Sequence, residues 1–380
     1  MKTRKNEKVF RVGISGSYGG LNLGDEAILQ GIIEQLRRSL SVEISVFTKD
    51  PKDTLKRHEV ERAIPVRALS RDEILPEIKR LDLFILGGGG ILFDGEVKRY
   101  LREVILAHEC GVSVMVYGVG AGPLHDPANQ EMIKTTFAKA AIVTVRERAA
   151  RRALEEAGVD REILLTADPG LLISPAPLTP ETLRHEGLMG KRHLIGMSVR
   201  EPGLAAPDIN VDSYHSLLAN AADYLVDRFD ADIVFVPMER NVLDMQHSHA
   251  VISKMLWPQR ATVLKNVYTA GQLLTIMKHF VFAVGMRLHF LIFAAIQEVP
   301  FVALPYASKV TGFLEELRIE MPPLQLVNSG RLIAYIDRSW DQRNTLKARI
   351  KRGLPALRER ALETNRLAVQ LLKKNYQEKS

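Results

Sequence analysis

Residues 281–317, VFAVGMRLHFLIFAAIQEVPFVALPYASKVTGFLEEL, hold two apolar runs rich in Val and Phe, each giving way to polar residues and then to a helical pattern. Runs of that length read as strands buried on both faces of a parallel sheet, and the whole stretch as β-α-β-α. If both strands share one sheet, their carboxyl ends lie on the same edge, and open α/β sheets bind ligands there. Arg287 and His289 follow the first strand and Lys309 follows the second. A guanidinium fork, a point charge near a helix start and a group titrating near neutrality suit a small anionic ligand with a proton donor beside it. Any one of the three could equally be structural; their convergence points to a site.

The same unit recurs toward the amino terminus. VFRVGIS reads as a first strand, GSYGGLNLGD as a glycine-rich turn, and EAILQGIIEQLRRSL as a helix whose Ile28, Ile32, Ile33 and Leu36 form one buried face. Glycines let backbone amides approach a ligand, and a helix amino terminus favours anions. No Gly-Lys-Ser/Thr follows, so this is not a Walker loop, and the dinucleotide fingerprint is incomplete. Asp25 and Glu26 suit a helix start, which gives both a capping role; Asn22 and Asp25 also stand where a substrate could be met. SVEISVFT is a second strand. LDLFILGGGGILFD is another, opening into four glycines, Gly87 to Gly90, which suggest close approach to a ligand or to another backbone. SVMVYGVGAGPL repeats the glycine-lined exit. AAIVTV ends with Arg146 at its exit, and TADPGLLI reads as a short further strand region carrying Asp168.

Three prolines and scattered polar residues in SPAPLTPETLRHEGLMGKRH mark a linker over 175–190, closing a first domain at 1–174. The second domain, 191–345, opens with the strand LIGMSVRE, with Arg200 and Glu201 at its exit. It continues through DIVFVPME, with Glu239 and Arg240 at its exit, and a weak strand ATVLKN. His247 and His249, two apart on a helix, point to different faces and make a poor metal pair. Residues 346–380 form one or two basic helices with Pro355 as the expected break. The predicted fold is α/β: two Rossmann-like, doubly wound domains facing a cleft.

Composition narrows the class. The single cysteine, Cys110, excludes an internal disulfide and any cysteine-rich metal site, in keeping with a reducing cytosol. No apolar run approaches the ~20 residues needed to span a bilayer, and the basic start MKTRKNEKVF has no following signal-peptide pattern. A formal charge of +7 over 380 residues permits an anionic partner without naming one, and no nucleic-acid module is present. The expectation is a cytoplasmic protein whose basic carboxy-terminal helix could touch the inner face of a membrane.

Taken in order, GSYGGLNLGDEAIL, LGGGGILFD, YGVGAGPL, TVRE and GMRLHFLIFAA resemble the polysaccharide pyruvyl transferase family across most of the chain. The resemblance implies paired Rossmann-like domains similar to the GT-B glycosyltransferases, phosphoenolpyruvate as donor, and no metal or other cofactor. It implies a saccharide acceptor from a cell-wall or exopolysaccharide precursor, lipid-linked or free, which receives a pyruvate ketal. Arg287 and Lys309 would bind the donor, with Arg146 contributing from the other domain, and His289 would protonate the methylene carbon. Asn22, Gly88 and Gly89 fall to the acceptor, and Asp25 to activation of its hydroxyl. A GT-B glycosyltransferase using a nucleotide sugar, or a carbohydrate-binding relative without turnover, would share the glycine motifs.

Overall fold

The computed structural model describes residues 8–190, 193–200, 210–239, 244–322 and 326–379. Glu201 and Arg240 lie outside the described residues. The chain divides into two compact units: one of residues up to Gly20, Asp25–Ile173 and Leu357 onward, the other of Leu21–Gly24 and Ser174–Ala356.

The first unit carries a seven-stranded parallel sheet: β1 (Phe10–Ser15), β2 (Val42–Thr48), β3 (Arg62–Pro65), β4 (Leu83–Leu92), β5 (Val114–Ala121), β6 (Ile142–Val145) and β7 (Ile163–Leu165). Their order is β3-β2-β1-β4-β5-β6-β7, so the winding reverses between β1 and β4. The Leu23–Ser39 helix buries Ile28, Ile32, Ile33 and Leu36, as their spacing predicts. Within this sheet, sequence and structure part at two places. β3, reading RAIP, has no apolar run to announce it. TADPGLLI is not a strand: β7 lies just before it in ILL, and Pro169–Leu172 is a 3₁₀ turn capped by Asp168, whose carboxylate accepts from Gly170 N–H at 2.8 Å. Proline at the first helical position suits a turn and lacks the donor a ladder needs.

The carboxy-terminal helix, Arg343–Lys379, runs unbroken through Pro355, where a break was expected. Beyond Leu357 it belongs to the first unit: Ala368 and Leu372 join Phe10, Ile14 and Leu36 in one core, and Asn365 donates to Ser39 Oγ at 2.9 Å. Burying such side chains contributes about 1.5–3 kcal/mol for each large one, enough to offset the ~3 kcal/mol that one proline costs inside a helix.

The second unit holds β8 (His193–Ser198), β9 (Ala231–Phe235), β10 (Ala261–Val263), β11 (Phe282–Gly285) and β12 (Phe301–Ala303), all parallel, in the order β10-β9-β8-β11-β12. Winding reverses between β8 and β11. The helix Leu288–Ile296 buries all but two of its residues, Phe290 and Phe293 among them, which anchors the residues at its amino end. The expected linker is partly ordered by Glu186, the cap of the short helix Pro180–His185. Its carboxylate accepts from the backbone of Lys265 and Asn266, the Asn266 amide and the Tyr268 hydroxyl.

Candidate functional site

Beyond the carboxyl ends of the second sheet, four of the five strand exits deliver polar groups. Arg200 follows β8, Glu239 follows β9, Arg287 and His289 follow β11, and Tyr306 and Lys309 follow β12. The first and third of these strands flank the winding reversal, where open α/β sheets leave a crevice for ligands.

Arg287 is the centre of an ion-pair network. Its Nε and Nη2 donate to the two oxygens of Asp244, and its Nη1 donates to Glu239 at 2.9 Å. Asp244, 1 % exposed in its side chain, also accepts the backbone N–H groups of Met238 and Glu239 through Oδ2. Burial lifts the Asp244 carboxyl above its usual range against the pull of Arg287. Burial works against the guanidinium too, but Asp244 and Glu239 outweigh it and hold Arg287 charged. Three of the five guanidinium donors are thereby used inside the protein, and two are not engaged by the described residues.

Two further cations, Arg200 and Lys309, stand at the same edge. The Arg200 guanidinium lies 4.4 Å from the Tyr306 ring centroid, and the Lys309 ammonium lies 5.6 Å from it. Lys309 stands in the first turn of the Ser308–Glu316 helix, whose amino-terminal dipole adds to the positive field. Arg200 and Tyr306 were not singled out as site residues from sequence; the available signal was their position at strand exits.

His289 occupies the first turn of the Leu288–Ile296 helix, and the segment Leu21–Gly24 passes beside it. Leu23 N–H donates to Met238 C=O at 2.8 Å, Asn22 bridges Glu239 in an antiparallel pair, and Gly24 N–H donates to the Asn22 side chain. A Cβ on Gly24 would stand 2.1 Å from His289 Nδ1. The glycine of the Asn-Leu-Gly-Asp motif is therefore a seat for the histidine ring.

In the first unit, Arg146 is 2 % exposed in its side chain and bonded to Glu147 and Asp168, both at 2.8 Å. Burial disfavours its charge, and those two carboxylates with Asp25 more than restore it. Gly90 and Gly120, on β4 and β5, flank its guanidinium, and a Cβ on Gly120 would stand 2.8 Å from Glu147 Oε1 and 3.0 Å from Arg146 Nη2. Gly88 is buried against Ile28, while Gly89, at φ +92°, lies beside the Asp25 carboxylate. Glu26 does more than favour the helix dipole: it accepts from Gly19 N–H at 2.9 Å and faces buried His58 at 2.8 Å, pinning the glycine-rich turn.

His247 faces His215 at 2.7 Å, and no group of three or more metal-binding side chains occurs among the described residues. None of their helices is long and apolar enough to cross a membrane.

Two Rossmann-like domains, the second with a cluster of cations and a histidine beyond its strand ends, define a protein of the GT-B class. Solved structures of that fold are similar along nearly the whole chain. A UDP-GlcNAc 2-epimerase from Neisseria meningitidis bound to UDP-GlcNAc matches at TM-score 0.65 and 9 % identity, covering 97 % of this chain and 100 % of that one. A glycosyltransferase from Rickettsia africae matches at 0.64 and 12 %, covering 98 % and 100 %. The E. coli ADP-heptose LPS heptosyltransferase II matches at 0.51 and 16 %, covering 88 % and 99 %. Comparison with curated protein sequences finds no match. The chain belongs to the polysaccharide pyruvyl transferase family, whose sequence profile matches residues 22–308.

Proposed function

We propose that this transferase moves the pyruvyl group of phosphoenolpyruvate onto a saccharide, closing a cyclic ketal across two hydroxyls. The observation that carries the reading is the grouping of Arg200, Arg287 and Lys309 around one strand edge with His289 beside it. A donor bearing both a carboxylate and a phosphate needs fixed cations, since a helix terminus contributes only ~0.3–1 kcal/mol. The two remaining donors of Arg287 would take the carboxylate, while Lys309 and Arg200 would take the phosphate. His289, protonated, would deliver a proton to the methylene carbon, making the adjacent carbon electrophilic for a sugar hydroxyl. Donor binding by Arg146, acceptor binding by Asn22, Gly88 and Gly89, and activation of a hydroxyl by Asp25 are proposed on their motif positions. The acceptor is a cell-wall or exopolysaccharide precursor met in the cytoplasm, and the reaction calls for no metal.

A second reading has one observation in its favour: the similar epimerase and glycosyltransferase structures belong to nucleotide-sugar chemistry. The discriminating experiment is thermal stabilisation of the protein by phosphoenolpyruvate, with UDP, GDP and phosphate as controls, because a ligand that binds only the native state raises its stability. Stabilisation by phosphoenolpyruvate that vanishes in Arg287→Ala supports pyruvyl transfer. Stabilisation by a nucleoside diphosphate alone replaces it with glycosyl transfer.

A further inference from the structure

Tyr306 stands just past β12, 6 % exposed, with Arg200 over its ring on one element and Lys309 on the helix that follows. Two cations against one ring exceed what packing requires, and the arrangement sits where the donor phosphate is placed above. Resting on the pyruvyl-transfer reading, we propose that Tyr306 is a catalytic residue: its hydroxyl protonates the departing phosphate, and the resulting phenolate takes the proton of the second sugar hydroxyl.

The balance closes without any further reactant. The first acceptor oxygen bonds to C2 of the enol phosphate as His289 protonates C3, and that hydroxyl's proton restores His289 through solvent. The C2–O bond then breaks, its electron pair leaves with phosphate, and the Tyr306 proton goes to that oxygen. The second hydroxyl bonds to C2 and its proton returns to Tyr306. One diol and one phosphoenolpyruvate become one ketal and one hydrogen phosphate.

The surroundings of Tyr306 differ in kind from those of the other buried tyrosines. Burial pushes the Tyr306 phenol up, but Lys309, Arg200 and Arg287 outweigh that and bring it below the ordinary tyrosine value. Tyr18, Tyr117 and Tyr214, more deeply buried and without two cations over the ring among the described residues, are pushed up. A phenol stabilised as its anion gives up a proton to a leaving group and can recover it in the same cycle.

Tyr306→Phe keeps the ring between Arg200 and Lys309 and removes only the hydroxyl. The wild type and the variant are compared by phosphate release from phosphoenolpyruvate, with methyl hexosides or water as acceptor, by donor binding in thermal shift, and by near-ultraviolet tyrosinate absorbance against pH. The expected result is kcat lower by ~10²- to 10⁴-fold with KM for phosphoenolpyruvate unchanged, loss of the basic limb of the rate profile, and loss of one tyrosine that ionises ahead of the rest. In Arg200→Met that early ionisation moves to higher pH with the fold intact. A variant that binds the donor and releases phosphate at the wild-type rate overturns the proposal, as does a wild type whose tyrosines all ionise together. A wild type that fails to bind phosphoenolpyruvate removes the pyruvyl-transfer reading itself.

Discussion

Asp244 grips Arg287 from behind: both its oxygens take guanidinium donors, and one of them also takes two backbone N–H groups of the β9 exit. The guanidinium plane is fixed by strand geometry before any ligand arrives. Preorganisation of this kind spares a binding site the entropy of ordering a long side chain.

Arg287→Lys keeps the charge and loses the fork. Lysine cannot serve both Asp244 oxygens and Glu239 in the same plane, so a buried acceptor is left short, at a cost of about 1–3 kcal/mol. The expected outcome is a lower melting temperature and a weaker shift with phosphoenolpyruvate. Unchanged apparent donor affinity would count against Arg287 as a donor contact.

His289→Gln roughly preserves volume and removes the imidazole. Turnover should fall by ~10²- to 10⁴-fold with the circular dichroism spectrum and donor-induced stabilisation retained. Near-normal phosphate release from a folded variant would take His289 out of the proton transfer.

Gly24→Ala tests the seat of that ring. The new methyl group would fall 2.1 Å from His289 Nδ1, so either the ring or the Leu21–Gly24 segment has to move. A displacement of about 1 Å at a reacting group can cost ~10²-fold in rate. Activity should drop by that order, and a variant with wild-type kcat would show that the ring tolerates the shift.

Glu186→Gln probes the acid side of the stability curve. Burial raises this carboxyl, but Tyr268, the backbone of Lys265 and Asn266 and the Asn266 amide outweigh it, so Glu186 lies below the ordinary glutamate value. A carboxylate depressed in the folded state stabilises above its unfolded pKa of about 4.3, and that contribution is lost as pH falls through the lower folded value. The wild type should therefore lose more stability than Glu186→Gln on acidification through that window, measured by urea unfolding at several pH values. Parallel curves would dismiss the clamp.

The strand-helix alternation was legible because buried parallel strands and amphipathic helices leave different periods in the sequence. Arg287, His289 and Lys309 were legible because a residue at a strand exit inherits its place from the strand. Asp244 was not, since its partner lies 43 positions away in the chain. Nor was the job of Gly24: a glycine in a loop reads as flexibility, whereas here it is room for a ring supplied by another element. β3 escaped notice because a four-residue strand ending in proline carries no apolar period, and Pro169 and Gly170 turn the chain where Leu171 and Leu172 suggested an extended run.

The last turns of the Arg343–Lys379 helix close the core formed by β1 and the first long helix, with Tyr376 edge-on to Phe10. On the ribosome this means that the first domain to be made is the last to be finished. Phe10, Ile14 and Leu36 emerge early and stay without their cover until Ala368 and Leu372 have cleared the exit tunnel. The nascent chain carries an open apolar face through the synthesis of the entire second domain, a period in which that face is open to aggregation.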